Sequence, residues 1–145
     1  MDVMKQMPNI PYDRPGRQRQ YLSIQKHHRT SRKKNASKWE SVIKEKENFD
    51  IADFGNFSKT LGNQSWEDDN QNLWGFLPDF EVVGTRGEQF GFFPKPTNTH
   101  DRWHGYPIIP FKGGHNISSN LLEVWIDQEL IDSDDVSTLM GGKIL

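Results

Sequence analysis

The 145-residue chain predicts a small α+β fold with a mainly antiparallel sheet, and three observations lead there. Apolar residues recur at helical spacing in two separated stretches, 38–47 and 119–131. Between them, short aromatic and β-branched runs flank a glycine turn, the pattern of a hairpin. Strand and helix signals come in blocks and do not alternate as βαβ units, which favours segregated layers over a parallel sheet.

In chain order, residues 1–16 carry Pro8, Pro11, Pro15 and Gly16 and read as an irregular, extended leader. Tyr21, Leu22 and Ile24 could anchor a short helix. Ser37-Lys-Trp-Glu40 has the form of a capping box, and Trp39, Val42 and Ile43 follow at i, i+3, i+4, so a helix is expected over 38–47. Asp50 is expected to cap a second helix that Gly62 ends. Residues 63–72 read as an acidic polar loop. Phe80-Glu-Val-Val83 and Gln89-Phe-Gly-Phe-Phe93 flank Gly84-Thr-Arg-Gly87, giving a hairpin at about 79–93.

A third strand is expected at about 106–111. Pro107 and Pro110 each remove a ladder donor, so it belongs at an edge. Leu121, Leu122, Trp125, Ile126 and Leu130 form the stripe of a helix over 119–131. A short last helix should begin at Asp132 or Ser133 and stop at Gly141, with Lys143-Ile-Leu145 as a final strand. The domain reading is a basic, partly irregular N-terminal arm over 1–36 and one α+β domain over 37–145, in line with the length.

Only 33 % of residues are apolar, but five Trp and nine Phe can build a small core because each ring buries much surface. The absence of cysteine excludes disulfides, thiolate zinc sites and a cysteine nucleophile. There is no signal-type apolar run and no stretch near 18 apolar residues, so a cytoplasmic chain with no membrane partner is expected. Neither a dinucleotide-binding glycine fingerprint nor a Walker-type Gly-Lys-Ser/Thr occurs, and no cofactor is implied. Gly113-Gly114 reads as a turn.

Charge is unevenly distributed. Residues 1–46 hold 12 Lys/Arg against 4 Asp/Glu, and residues 47–145 hold 6 against 16. Arg17, Arg19, Lys26, Arg29, Arg32, Lys33 and Lys34 follow one another with no acid between them, the composition of a nucleic-acid tail. They are candidate contacts to an RNA or DNA backbone. His27 and His28 within the run read as part of its solvated surface. The acidic residues 67–69 and 127–135 offer a different use for the cations, docking on the chain's own surface or on a charged protein partner.

The densest chemistry lies at His100-Asp-Arg-Trp-His104. If the segment is extended, His100, Arg102 and His104 share a face; if it is one helical turn, Asp101 reaches His104 as well. Two imidazoles beside a cation can cleave a phosphodiester without metal. One takes the proton of the attacking hydroxyl, the other protonates the leaving oxygen, and Arg102 or Lys112 stabilises the phosphoryl charge. The candidate catalytic set is therefore His100, Arg102 and His104, with Asp101 and Lys112 in support. The bland alternative makes Trp103 and Tyr106 packing residues and the histidines ordinary surface groups.

Three readings follow: a nucleic-acid-directed protein, in its sharpest form a metal-independent ribonuclease of toxin type; a non-catalytic interaction module of antitoxin, immunity or adaptor kind; and a hydrolase with metal on His100, His104 and His115. No metal ligand set is assigned on the first two.

Overall fold

The structure is a computed structural model that describes residues 8–145. The part of the expected leader at residues 1–7 lies outside the described residues. Among the described residues, three α-helices and two small antiparallel sheets make the α+β fold expected from the sequence.

The first helix, α1, spans Val42–Phe54. It starts later than the capping-box reading placed it. Ser41, not Ser37, is the cap, its hydroxyl accepting from the Lys44 amide at 3.1 Å. Trp39 instead makes a bridge to Gly84, and the Glu40 amide donates to the Val83 carbonyl at 2.7 Å. Asp50 caps nothing, because α1 runs through it without a break. Gly55, with φ 71°, ends the helix by donating to the Ile51 carbonyl.

The main sheet is ordered β3 (Leu73–Phe76), β4 (Phe90–Phe93), β5 (Tyr106–Ile108), all antiparallel. The strand paired with β4 is thus not 80–83 as expected. Phe80 lies in a 3₁₀ turn, Pro78–Phe80, and has φ 51°. The Gly84–Gly87 turn does form, closed by the Val83 amide on the Glu88 carbonyl at 2.8 Å. Its outer arm, however, pairs with residues 38–40. β5 sits at an edge with Pro107 in it, as the missing donor requires.

Helix α1 lies across β3 and β4 over a facing pair of glycines, Gly75 and Gly91. A Cβ on Gly75 would stand 2.3 Å from Asn48 Oδ1, and one on Gly91 would stand 2.7 Å from Trp39 Cη2. Only glycine permits this approach. The core around it is aromatic: Trp39, Trp66, Trp74, Trp125, Tyr21, Phe49, Phe76 and Phe93 are fully buried. Phe76 stacks on Trp66 with centroids 4.9 Å apart and meets Trp125 edge-on at 5.0 Å. Trp66, fully buried, belongs to the stretch 63–72 expected as an acidic polar loop.

Helix α2, Ser119–Asp127, buries Leu121, Leu122 and Trp125. It stops short of 131 because Glu129, at φ 62°, turns the chain. Helix α3, Ser133–Met140, is opened by a capping box between Asp132 and Asp135. Residues 143–145 are not a strand; the Gln89 amide holds Leu145 by two hydrogen bonds, at 2.8 and 2.9 Å. At the other end, β1 (Ile10–Tyr12) pairs antiparallel with β2 (Tyr21–Ser23), where a helical turn was expected. Tyr21 bridges Trp103, so the leader and the histidine segment are adjoining backbones.

Candidate nucleic-acid interface

The cationic run divides into two parts with different environments. Its first members face the chain's own carboxylates. Arg14, just ahead of the run, is buried with its Nε 2.6 Å from Asp50 and its Nη2 2.8 Å from Asp53. Arg17 reaches Asp53 at 2.9 Å, and Arg19 reaches it at 2.7 Å while also pairing with Glu67. Three guanidiniums therefore converge on one buried carboxylate at the end of α1. Burial alone would push the Asp53 carboxyl up, but hydrogen bonds from Arg17 and Arg19 and the Arg14 charge outweigh it and hold it below its ordinary range. Arg17 also lies over the Phe54 ring at 4.0 Å. Arg17 Nε and Arg19 Nη1 both donate to Asp53, and Arg19 Nη2 donates to Glu67.

The second part is a loop over residues 24–38 that begins with a 3₁₀ turn, Gln25–His27. His27 Nδ1 lies 2.7 Å from the Ser37 carbonyl, and the Trp39 amide donates to the His27 carbonyl at 2.8 Å, closing the loop at its base. Arg86 Nη2 donates to the Lys34 carbonyl at 3.3 Å, fastening the tip to the Gly84–Gly87 turn. Lys26, Arg29, Arg32, Lys33 and Lys34 are exposed. Among the described residues, no ion pair engages Lys26, Arg29, Lys33 or Lys34. His27 and His28 are buried, contrary to the solvated reading. His27 packs on the Tyr106 ring at 5.2 Å, and His28 Nε2 bonds Ser23 Oγ at 2.6 Å.

The histidine segment is a turn followed by an extended stretch. The Asp101 amide donates to the Asn98 carbonyl at 3.1 Å, and beyond it Trp103 runs alongside β2, its amide on the Gln20 carbonyl at 2.8 Å. Trp103 is buried. Arg102 joins this segment to the first hairpin, donating to the Tyr21 carbonyl at 2.9 Å and pairing with the Asp13 carboxylate at 2.7 Å. His100 and Asp101 are exposed and line a groove of about 310 Å³ with Arg19, Lys95 and Trp103. His104 is not part of that lining. Its neighbours are Lys26 and His27: partial burial and the Lys26 charge lower its pKa. Burial likewise lowers His27 despite the Ser37 carbonyl, with Lys26, His104 and His28 adding to the effect.

Lys112 occupies a third location, a turn over residues 111–115 beside Arg86 and His115. The structure thus sets the candidate catalytic residues in different surroundings: His100 with Asp101, Arg102 with Asp13 and the Tyr21 carbonyl, His104 with Lys26, and Lys112 with His115. Among the described residues, no three His, Asp or Glu side chains gather so as to hold a metal ion, and no helix is long and apolar enough to cross a membrane. Sequence reasoning missed Arg86, which stands in a turn and reads there as a loop residue. Comparison with protein-family models, curated proteins and solved structures finds no match to this chain.

Proposed function

We propose that this chain is a cytoplasmic nucleic-acid-binding protein that grips the backbone through the loop 24–38 without cleaving it. The observation that carries this reading is the division of the cations. Arg14, Arg17 and Arg19 are paired with Asp50, Asp53 and Glu67, while Lys26, Arg29, Lys33 and Lys34 are exposed on an internally braced loop with no ion pair among the described residues. Clustered cations on a fixed scaffold bind phosphates by counterion release and need no base readout. Arg86 and Lys112 extend the same surface. Cleavage by His100 and His104 has less support, since general acid and general base must both reach one phosphodiester and these two rings have separate neighbours.

The test is anisotropy of a labelled oligonucleotide, RNA and DNA in parallel, at low salt. Saturable binding is expected with the RNA intact. Replacing Arg29, Lys33 and Lys34 together by Ala should weaken it roughly tenfold or more. Absence of binding to either strand, or indifference to the triple replacement, would sink the proposal in favour of an acidic protein partner. RNA cleavage that survives EDTA and is lost in His100→Ala or His104→Ala would restore the ribonuclease reading.

A further inference from the structure

Between the basic loop and β5 lies a cleft of about 460 Å³. Arg86 and Lys112 line it with His115, Tyr106, Ile109 and Glu88. Tyr106 Oη and His115 Nε2 are 3.0 Å apart, a hydrogen-bonded pair facing a solvent-open space. Neighbouring rings hold both members: His115 meets Phe92 edge-on at 4.7 Å, and Tyr106 packs against His27. The turn that carries Lys112 and His115 is strained. Phe111 has φ 61°, and its amide donates to the His115 carbonyl at 2.8 Å. A bulky residue in the left-handed region costs on the order of 1–3 kcal/mol, and such strain concentrates at ligand sites.

The charges favour an anion. Arg86 and Lys112 supply two cations against one carboxylate, Glu88, which is nearly buried and accepts the Arg86 backbone amide at 2.8 Å. Guanidinium and ammonium groups together suit phosphoryl oxygens. The size lies within the range of small-molecule clefts, and an aromatic ring beside an isoleucine offers a surface on which a base can lie.

We propose that this cleft binds a nucleoside phosphate. Arg86 and Lys112 take the phosphoryl oxygens, the Tyr106–His115 pair hydrogen-bonds the sugar or phosphate, and the base rests on Tyr106 and Ile109. The same chemistry arrives as a free nucleotide or as one unit of a strand, since Arg86 also contacts the basic loop at Lys34. The strand form rests on the function proposed above; the free-nucleotide form does not.

The full chain is titrated by NMR with AMP, inorganic phosphate, adenosine and a short oligouridylate. Saturable AMP shifts are expected at Ile109, Lys112 and His115, with phosphate weaker and adenosine weakest. Lys112→Ala and Arg86→Ala should each weaken AMP roughly tenfold, and Tyr106→Phe should weaken it with the spectrum otherwise preserved. No saturable AMP shift at these residues, or AMP affinity unchanged in Lys112→Ala, overturns the site. If AMP fails while the oligonucleotide still binds the loop, the cleft is lost and the interface stands. If AMP binds and no strand does, the interface is lost and the cleft stands as a nucleotide site.

Discussion

Glu45 is a fully buried carboxyl on α1 within a short polar chain. Tyr21 donates to its Oε2 at 2.6 Å, and Ser23 donates to Oε1 at 2.5 Å while lying 2.6 Å from His28 Nε2. Burial raises Glu45 from its ordinary 4.5 to about 7, the two hydroxyl donors and Lys46 opposing the rise. Tyr21 is raised as well, by burial and then by the Glu45 charge. A carboxyl raised by folding binds its proton in the folded state after the unfolded chain has released it. Its contribution is therefore complete below pH 4.5 and lost as pH climbs through 7. Glu45→Gln should flatten the pH dependence of unfolding free energy in that window, by up to about 3 kcal/mol. Urea unfolding at several pH values measures it, and parallel curves for the two proteins would contradict it. None of this was legible in the sequence. The buried side of α1 contains Glu45, Asn48 and Asp53 beside Phe49, Ile51 and Ala52, so apolar periodicity is erased where packing is tightest. The same erasure divided one helix into two expected ones.

At the scale of elements, the β1–β2 hairpin is fastened to α1 by the three arginines on Asp53. Asp53→Asn leaves the three guanidiniums crowded together around an amide. Removing one partner of a buried ion pair costs about 3–5 kcal/mol. Hydrogen exchange should show the β1 and β2 amides losing protection before those of β3 and β4. A loss under about 1 kcal/mol, the range of exposed pairs, would show the cluster to be solvent-screened. Acid has the same consequence: a carboxyl held low by its partners stabilises fully above its ordinary range, and that stability fades as pH falls below it. The edge position of β5 and the cap of α3 were legible because proline and aspartate act locally. The partner of β4 was not. Leu73-Trp-Gly-Phe76 carries a glycine in mid-strand, which weakens any strand signal, yet that glycine is what lets α1 approach.

For the whole molecule, the sequence shows an acid–base imbalance but not its geometry. Charge counting makes Arg17 and Lys33 equivalent; folding makes the first part of a buried cluster and leaves the second exposed. The histidine segment is a similar case. Its residue types were readable, but their different neighbours depend on Trp103 docking beside β2 and on a turn at 98–101, both long-range or loop-specific events. The division of the cations is tested most directly by the salt dependence of oligonucleotide binding. For a single strand, log affinity falls with log salt by about 0.7 per phosphate neutralised. Replacing Arg29, Lys33 and Lys34 by Ala should reduce that slope by about 2, whereas Arg17→Ala should leave the slope alone and lower only the stability. A slope that flattens equally in Arg17→Ala, or that ignores the loop replacement, would contradict the assignment of the two halves.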